Sequence, residues 1–358
     1  MSDDVFITLA EALDRLPNGY PRTDSGVELR ILKKIFSPDE ALLAGKLTGS
    51  FEPVSSIAGR LGRTEGEVSR SLFKLVRRGM VWLDKQDGKV TFRLAPFVVG
   101  IYEAQMELMD HELAHLVEDY FSGAGAQGIM KLQPALQRVI PTQGSLKTEA
   151  VLPYDDVRSL LLASKTFNVR DCICRRQQES LGKPCEYPVE ICLNFSQYER
   201  APQAGDLTQA EALALLDKAE QVGLVHTVSN VMEGVGYVCN CCGCCCGILR
   251  GITDWGIENS VAFANYYAVI DPTFCANCGN CIERCQVGAI SEGENASVVD
   301  RARCIGCGLC VTGCPNNVAR LVRKPEAEII HPPKDFTEWE HQRLHNRGMA
   351  IPTREPVI

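Results

Sequence analysis

The sequence predicts an α+β chain of several domains. Three observations carry that reading. Apolar residues recur at helical spacing between 24 and 95 and end in a hairpin pattern. Ten cysteines crowd into 172–246. A C-x2-C-x2-C-x3-C run is then written twice between 275 and 314. At 358 residues there is length for two or three domains. The expected boundaries are 24–95, a helical connector 96–145, a cysteine-rich domain 146–262, a doubled-repeat domain 263–325 and an extended tail 326–358.

Composition narrows the chemistry first. Eighteen cysteines in 358 residues exceed ordinary use but fall below a small disulfide scaffold. Disulfides would need an oxidising compartment. The start, MSDDVFITLAEALDRLPNGY, has no basic n-region and no continuous apolar stretch, so a secretory signal is not expected. No apolar run reaches 18 residues, so no membrane-spanning helix is expected. The cysteines are therefore expected as reduced thiolates in an anaerobic or well-protected cytoplasm. A net charge of −8 argues against a generally nucleic-acid-binding surface.

From the N-terminus, Val27–Phe36 carries apolar residues at helical spacing. Ser37 with Pro38 then reads as an N-cap followed by Pro at the first helical position. Val54–Leu61 is a short helix broken by Gly62, and Thr64–Arg78 a longer one that opens on a Thr64/Glu67 capping box. Gly79 closes it, and MVWLDKQDGKVTFRL reads as two strands around an Asp87-Gly88 turn. This order, with 56–62 at the turn between helices, resembles a winged-helix domain. Arg60, Arg63, Arg70, Lys74, Arg77 and Arg78 outnumber two acidic residues over 60–78, as a major-groove helix would require. The same residues are equally the solvated face of a helix whose core face is Val68, Leu72, Leu75 and Val76. Fold does not fix function. Protein docking is the expectation here, and nucleic acid is not.

Residues 97–122 read as one long helix. His111 and His115 in His-Glu-Leu-Ala-His match the two-histidine zinc pattern, but no third ligand is evident, so an ordinary histidine pair is expected. Residues 122–128 are Gly-rich and read as a loop, without the Lys-Ser/Thr ending of a P-loop. A strand over 146–153 and a helix over 154–167 should follow.

The cysteine-rich stretch comes in two parts. Cys172, Cys174, Cys185 and Cys192 precede a helix at 207–222 and Gly223. Cys239, Cys241, Cys242, Cys244, Cys245 and Cys246 follow in CNCCGCCCG. Adjacent cysteines make poor disulfides, and ten buried thiols without a metal would be prone to oxidation. Metal ligation is the reading, with at least one further iron–sulfur cluster. The two parts should meet, because neither alone offers four separated thiolates. Cys172, Cys174, Cys185, Cys192, Cys239, Cys241, Cys242, Cys244 and Cys245 are the expected ligands. Cys246 is left out, since three consecutive thiolates can hardly face one metal. Two cubanes with two thiolates spare, or one cubane with a non-cubane cluster, both fit the number, and zinc is an alternative. The contiguous Cys-Cys steps resemble modules of heterodisulfide-reductase-type proteins. The spacings differ, so that resemblance implies no ligand set.

The last domain carries Cys275, Cys278, Cys281 and Cys285, then Cys304, Cys307, Cys310 and Cys314. Structural zinc also uses C-x2-C pairs, but two full four-cysteine runs favour iron–sulfur clusters. With Cys314-Pro315, Gly288-Ala289-Ile290, Ile305-Gly306 and Gly308-Leu309, the stretch resembles a bacterial two-cluster ferredoxin domain. Gln286 departs from it, standing where that family usually has Pro. The resemblance implies two [4Fe–4S] clusters with crossed ligands. Cys275, Cys278, Cys281 and Cys314 would hold one, and Cys304, Cys307, Cys310 and Cys285 the other. The whole layout also resembles a group of ferredoxin-like proteins from anaerobes.

The fold class expected is thus α+β multidomain, with a winged-helix-like N-terminal domain, a cysteine-rich α/β middle domain and a two-cluster ferredoxin-like domain. The Pro pairs after 325 suggest an extended tail with one short helix near 337–346. No catalytic residue stands out, and no G-x-G-x-x-G follows a strand, so dinucleotide binding is not expected. The leading function is an electron-transfer subunit passing single electrons to a partner oxidoreductase or larger complex. A reductase with a substrate-binding cluster and a cluster-sensing winged-helix regulator are the alternatives.

Overall fold

In the computed structural model, which describes residues 2–86, 88–146 and 153–351, the chain divides into two units. The first comprises Met1–Gln133, Ser180–Gly182 and Glu340–Ile358, the second Pro134–Glu179 and Lys183–Trp339.

The first unit begins with a helix that the sequence reading did not anticipate, α1 (Ser2–Asp14). In α2 (Val27–Ile35) the residues Val27, Ile31, Leu32 and Ile35 form a buried stripe, the i, i+4 pattern of an amphipathic helix. Next, α3 (Pro38–Ala44) opens on Ser37, whose hydroxyl accepts from Glu40 N while the Glu40 side chain accepts from Ser37 N. A two-residue strand β1 (Glu52–Pro53) leads into α4 (Val54–Leu61), which Gly62 ends at φ 63°. The Thr64/Glu67 capping box then starts α5 (Glu65–Arg77), which buries Val68, Leu72 and Leu75. Strands β2 (Val81–Gln86) and β3 (Lys89–Leu94) pair antiparallel from Val81↔Leu94 to Gln86↔Lys89, and β1 joins the far edge of β3. Asp87, in the expected turn, lies outside the described residues. Three basic residues of the 60–78 segment are held in internal ion pairs, Arg60 with Glu52, and Lys74 and Arg78 with Glu40.

The expected long helix over 97–122 is replaced by short turns followed by α6 (His111–Tyr120). Two physical causes are visible. Phe97 packs 4.8 Å from the Tyr20 ring, and Tyr20 lies 5.1 Å from Tyr120; Val98 and Val99 run extended beside this buried group. The Asp110 carboxylate then accepts from Leu113 N at 2.8 Å and starts the helix afresh. His111 and His115 meet edge to face on the exposed side with ring centroids 4.4 Å apart. Part of the Gly-rich stretch expected as a loop is helical, α7 (Ala126–Met130).

The second unit is organised by a six-stranded antiparallel sheet of order β4-β8-β9-β6-β5-β7. In chain order its elements are β4 (Gln137–Ile140), α8 (Val157–Leu162), β5 (Thr166–Asp171), α9 (Ile173–Ser180), β6 (Glu190–Ser196), β7 (Asp206–Leu207), α10 (Gln209–Val222), β8 (Val225–Ser229), β9 (Tyr237–Cys241) and α11 (Gly247–Thr253). The helix expected over 154–167 stops at Leu162. Phe167 is drawn into β5 opposite Phe195, and both bury in the core. Of the strand expected over 146–153, residues 147–152 lie outside the described residues. Leu193, Phe195 and Val238 on one face of the sheet bury against Val157 and Leu161 of α8 and Ala212 and Leu216 of α10.

The rest of this unit is a small lobe. Here β10 (Tyr266–Ile270) pairs antiparallel with β13 (Ala319–Arg323), and β11 (Ile290–Ser291) pairs with β12 (Val298–Val299). The short helices α12 (Asn280–Glu283) and α13 (Leu309–Thr312) follow the second cysteine of each run. The short helix expected near 337–346 is α14 (Phe336–Asn346). Its Trp339 donates to Ala135 O at 3.0 Å. From Glu340 on the chain belongs to the first unit, where Arg343, fully buried, donates to the carbonyls of Pro17, Leu132, Ile129 and Asn18. Among the described residues no helix is long and apolar enough to cross a membrane.

Candidate metal centres

The doubled cysteine run folds as a doubled structure. Asn277 and Gly306 precede the second cysteine of their runs, Gly279 and Gly308 follow it, and Gly288 and Asn317 come three residues after the fourth. All six have positive φ. Each equivalent pair lies 29 residues apart, as do the cysteines themselves. Glycine is needed at Gly308, where an added Cβ would fall 2.2 Å from Ser145 Oγ at φ +79°.

One apolar cavity is lined by Cys285, Cys304, Cys307 and Cys310, with Ile290, Ile305 and Leu309 among its walls. Burial pushes the Cys310 thiol up to about 12, helped by the charges of Cys304, Cys285 and Cys281. Backbone N–H groups point at the sulfurs: Ala289 N at 3.1 Å from Cys285 Sγ, Ala268 N at 3.5 Å from Cys304 Sγ, and Asn277 N at 3.4 Å from Cys275 Sγ. Cys314 lies below the usual thiol range. Burial opposes this, but the N–H groups of Ala319, Val318, Asn316 and Asn317 outweigh it. Thiolate donors surrounded by N–H dipoles and apolar walls fit an iron–sulfur cluster, whose potential is set by such hydrogen bonds and by exposure. Cys278 of the other set is exposed, and Phe274 beside Cys275 is 70 % exposed.

The ten remaining cysteines come together from both parts of their stretch, and in two groups. Cys185, Cys242, Cys244 and Cys245 have all four sulfurs within 4.8 Å of one another. Cys185 Sγ lies 3.8 Å from Cys242 Sγ and 3.5 Å from Cys244 Sγ, and Cys244 Sγ 3.7 Å from Cys245 Sγ. In the other group each thiol has its ionisation shifted first by two neighbours: Cys172 by Cys174 and Cys192, Cys174 by Cys172 and Cys246, Cys192 by Cys172 and Cys239, and Cys241 by Cys239 and Cys246. Cys246, left out on sequence grounds, therefore has thiol neighbours of its own. It is not among the four sulfurs that converge within 4.8 Å, and it stands at the N-cap of α11 in an extended conformation (ψ 116°).

Arg175 on α9 serves both groups. It is 1 % exposed, donates to Pro188 O at 2.8 Å and Asn240 O at 2.9 Å, and its Nε has no partner. Burial alone would lower its pKa, but the charges of Cys172, Cys242 and Cys241 outweigh that and raise it. Hydrogen bonds from Cys244 and Cys245, then the Arg175 charge, hold Cys242 far below the usual thiol range. Cys172 is lowered in the same way, first by Cys174 and Cys192 and then by Arg175. A buried cation with one nitrogen unmet, facing thiols pushed toward thiolate, fits anionic metal–sulfur centres.

Gln286 has a use that sequence spacing did not indicate. Its Nε2 donates to Tyr187 Oη and to Gly223 O, both at 2.8 Å, and its Oε1 accepts from Gly243 N at 2.8 Å. Gly243 separates Cys242 from Cys244, and a Cβ there would lie 1.9 Å from Gln286 O. The residue after Cys285 is thus seated in the loop of the second cysteine group. Gln286→Ala should lose about 2–3 kcal/mol at about 1 kcal/mol per hydrogen bond, with iron content unchanged. A thermal melt of the purified chain measures the loss.

Residues 274–319 match the family model described as a 4Fe-4S dicluster domain. No curated protein and no solved structure matches the chain.

Proposed function

We propose that this chain is an iron–sulfur electron-transfer protein, or a subunit of one, relaying single electrons through several clusters to a partner oxidoreductase. The carrying observation is the 4Fe-4S dicluster match over 274–319 beside a second convergence of cysteines at 185 and 242–245. When bound, [4Fe–4S] clusters supply one-electron chemistry at low potential.

The ligand sets follow the crossed pattern. Cys304, Cys307 and Cys310 act with Cys285, and Cys275, Cys278 and Cys281 with Cys314. The cavity shared by Cys285 with Cys304, Cys307 and Cys310 supports this. The residues around them donate N–H groups to sulfur and exclude water, while exposed Cys278 and Phe274 form the edge at which a partner exchanges electrons. The cysteines of 172–246 hold at least one further cluster. The 24–95 segment is a winged-helix-like module for docking protein, in keeping with Arg60, Lys74 and Arg78 being held by Glu52 and Glu40. A reducing, anaerobic cytoplasm suits free thiols throughout.

Iron and sulfide analysis of anaerobically purified chain, with EPR after reduction, tests this. The expected content exceeds the roughly eight irons of two [4Fe–4S] clusters. A value of about eight would leave a two-cluster carrier. Absence of iron would end the reading.

A further inference from the structure

We propose that Cys172, Cys174, Cys192, Cys239, Cys241 and Cys246 form a metal centre of their own, separate from the Cys185 group. It takes a polynuclear iron–sulfur cluster with more thiolate ligands than a cubane. This deepens the reading of the chain as an iron–sulfur protein and rests on it.

The six side chains close a ring. The register Leu193↔Val238 sets Cys192 beside Cys239 on one face of the sheet, and each of the six thiols has its ionisation shifted first by two others of the six in turn. The strand β9 explains the division. Successive side chains of a strand point to opposite faces. Val238 and Asn240 turn toward the α10 side, where Val238 packs with Ala212 and Leu216 and Asn240 Nδ2 donates to Ile191 O. Cys239 and Cys241 point the other way, with Thr227 Oγ1 3.5 Å from Cys241 Sγ and Gln137 Nε2 3.8 Å from Cys239 Sγ. Cys242 reverts to the α10 side and packs with Ile191, Ala219 and Leu224.

Spacing then assigns different occupants. A metal with bonds of about 2.3 Å to four thiolates at tetrahedral corners sets sulfur–sulfur edges of about 3.8 Å. The 3.5–3.8 Å separations in the Cys185 group fit one thiophilic ion, zinc or iron. Among the described residues no other three Cys, His, Asp or Glu ligand atoms converge within 4.8 Å of one another. The ring is therefore too open for a single ion. In a cluster each thiolate faces a different iron, which keeps the sulfurs apart. A cubane accepts four thiolates, so six converging thiols call for a larger cluster or for thiolates that bridge irons. The Arg175 guanidinium beside Cys172 and Cys241 offsets the negative charge that such a centre carries.

The test is metal analysis and Mössbauer spectroscopy on the anaerobically purified full chain, comparing Cys246→Ala and Cys244→Ala. Cys246→Ala should lose at least about four irons and the associated signal, keeping the ferredoxin-type irons and the ion of the Cys185 group. Cys244→Ala should lose one ion, identified as zinc or iron by the same measurement, and keep the iron of the ring. Cys174→Ala is the second ring variant, should Cys246→Ala fail to fold. If Cys244→Ala and Cys246→Ala lose the same metal, or Cys246→Ala loses none, the division into two centres is wrong while the electron-transfer reading stands. A wild-type chain with only about eight irons overturns both this centre and the further cluster of the proposed function.

Discussion

Cys285→Ala is expected to remove about four irons per chain, one cubane's worth, from the site of Cys304, Cys307 and Cys310. The cavity those three share with Cys285 has no other cysteine in its wall. Ala289 N, now donating to Cys285 Sγ at 3.1 Å, would lose its acceptor as well. Iron analysis together with EPR of the reduced protein should show one ferredoxin-type signal surviving. Retention of the Cys304 cluster with selective loss of the Cys275 cluster would sink the crossed assignment. The companion substitution Cys314→Ala should give the mirror result, sparing the buried cluster and removing the one nearer the exposed Cys278.

Arg175→Met should be the most destabilising single change in the cysteine-rich part. The side chain is buried, its fork is fixed by the carbonyls of Pro188 and Asn240, and its charge faces Cys172, Cys242 and Cys241. Methionine has a similar length, so the loss is of charge and hydrogen bonds, not of bulk. Removing one partner of a buried charge set costs about 3–5 kcal/mol. Metal retained after gel filtration should fall in parallel, because the thiolates lose their counter-ion. Arg175→Lys keeps the charge without the fork and should recover only part of the loss. A melting curve for Arg175→Met within 1 kcal/mol of wild type would refute the role.

Local signals were legible where chemistry is local. Ser37, Thr64 and Gly62 mark helix ends by their own side chains or lack of one, and the helices begin and end beside them. The doubled spacing from Cys275 to Cys314 likewise carries its pattern in the sequence itself, and the dicluster match covers the same residues. What failed depended on partners distant in sequence. The 97–122 helix was overridden by Tyr20, some eighty residues away, which draws Phe97 into a buried aromatic group. The separation of Cys239 and Cys241 from Cys242 follows from the two faces of β9 and the end of that strand, and β9 takes its place by pairing with β6 and β8. Strand alternation over 237–242 could have separated Cys239 and Cys241 from Cys242. The missing element was knowledge that a strand ends at Cys241.

The seat of Gln286 has a consequence for distance. From Cys285 the chain passes to Gln286, crosses one 2.8 Å hydrogen bond to Gly243, and reaches Cys242 and Cys244 on either side; Cys241 is one peptide further. Neighbouring Cα atoms stand about 3.8 Å apart, so the three groups of sulfur are joined through two or three residues and a single non-covalent step. Tunnelling between them would therefore face a barrier of nearly constant width. That width is set by backbone geometry and is insensitive to how a partner docks elsewhere on the surface.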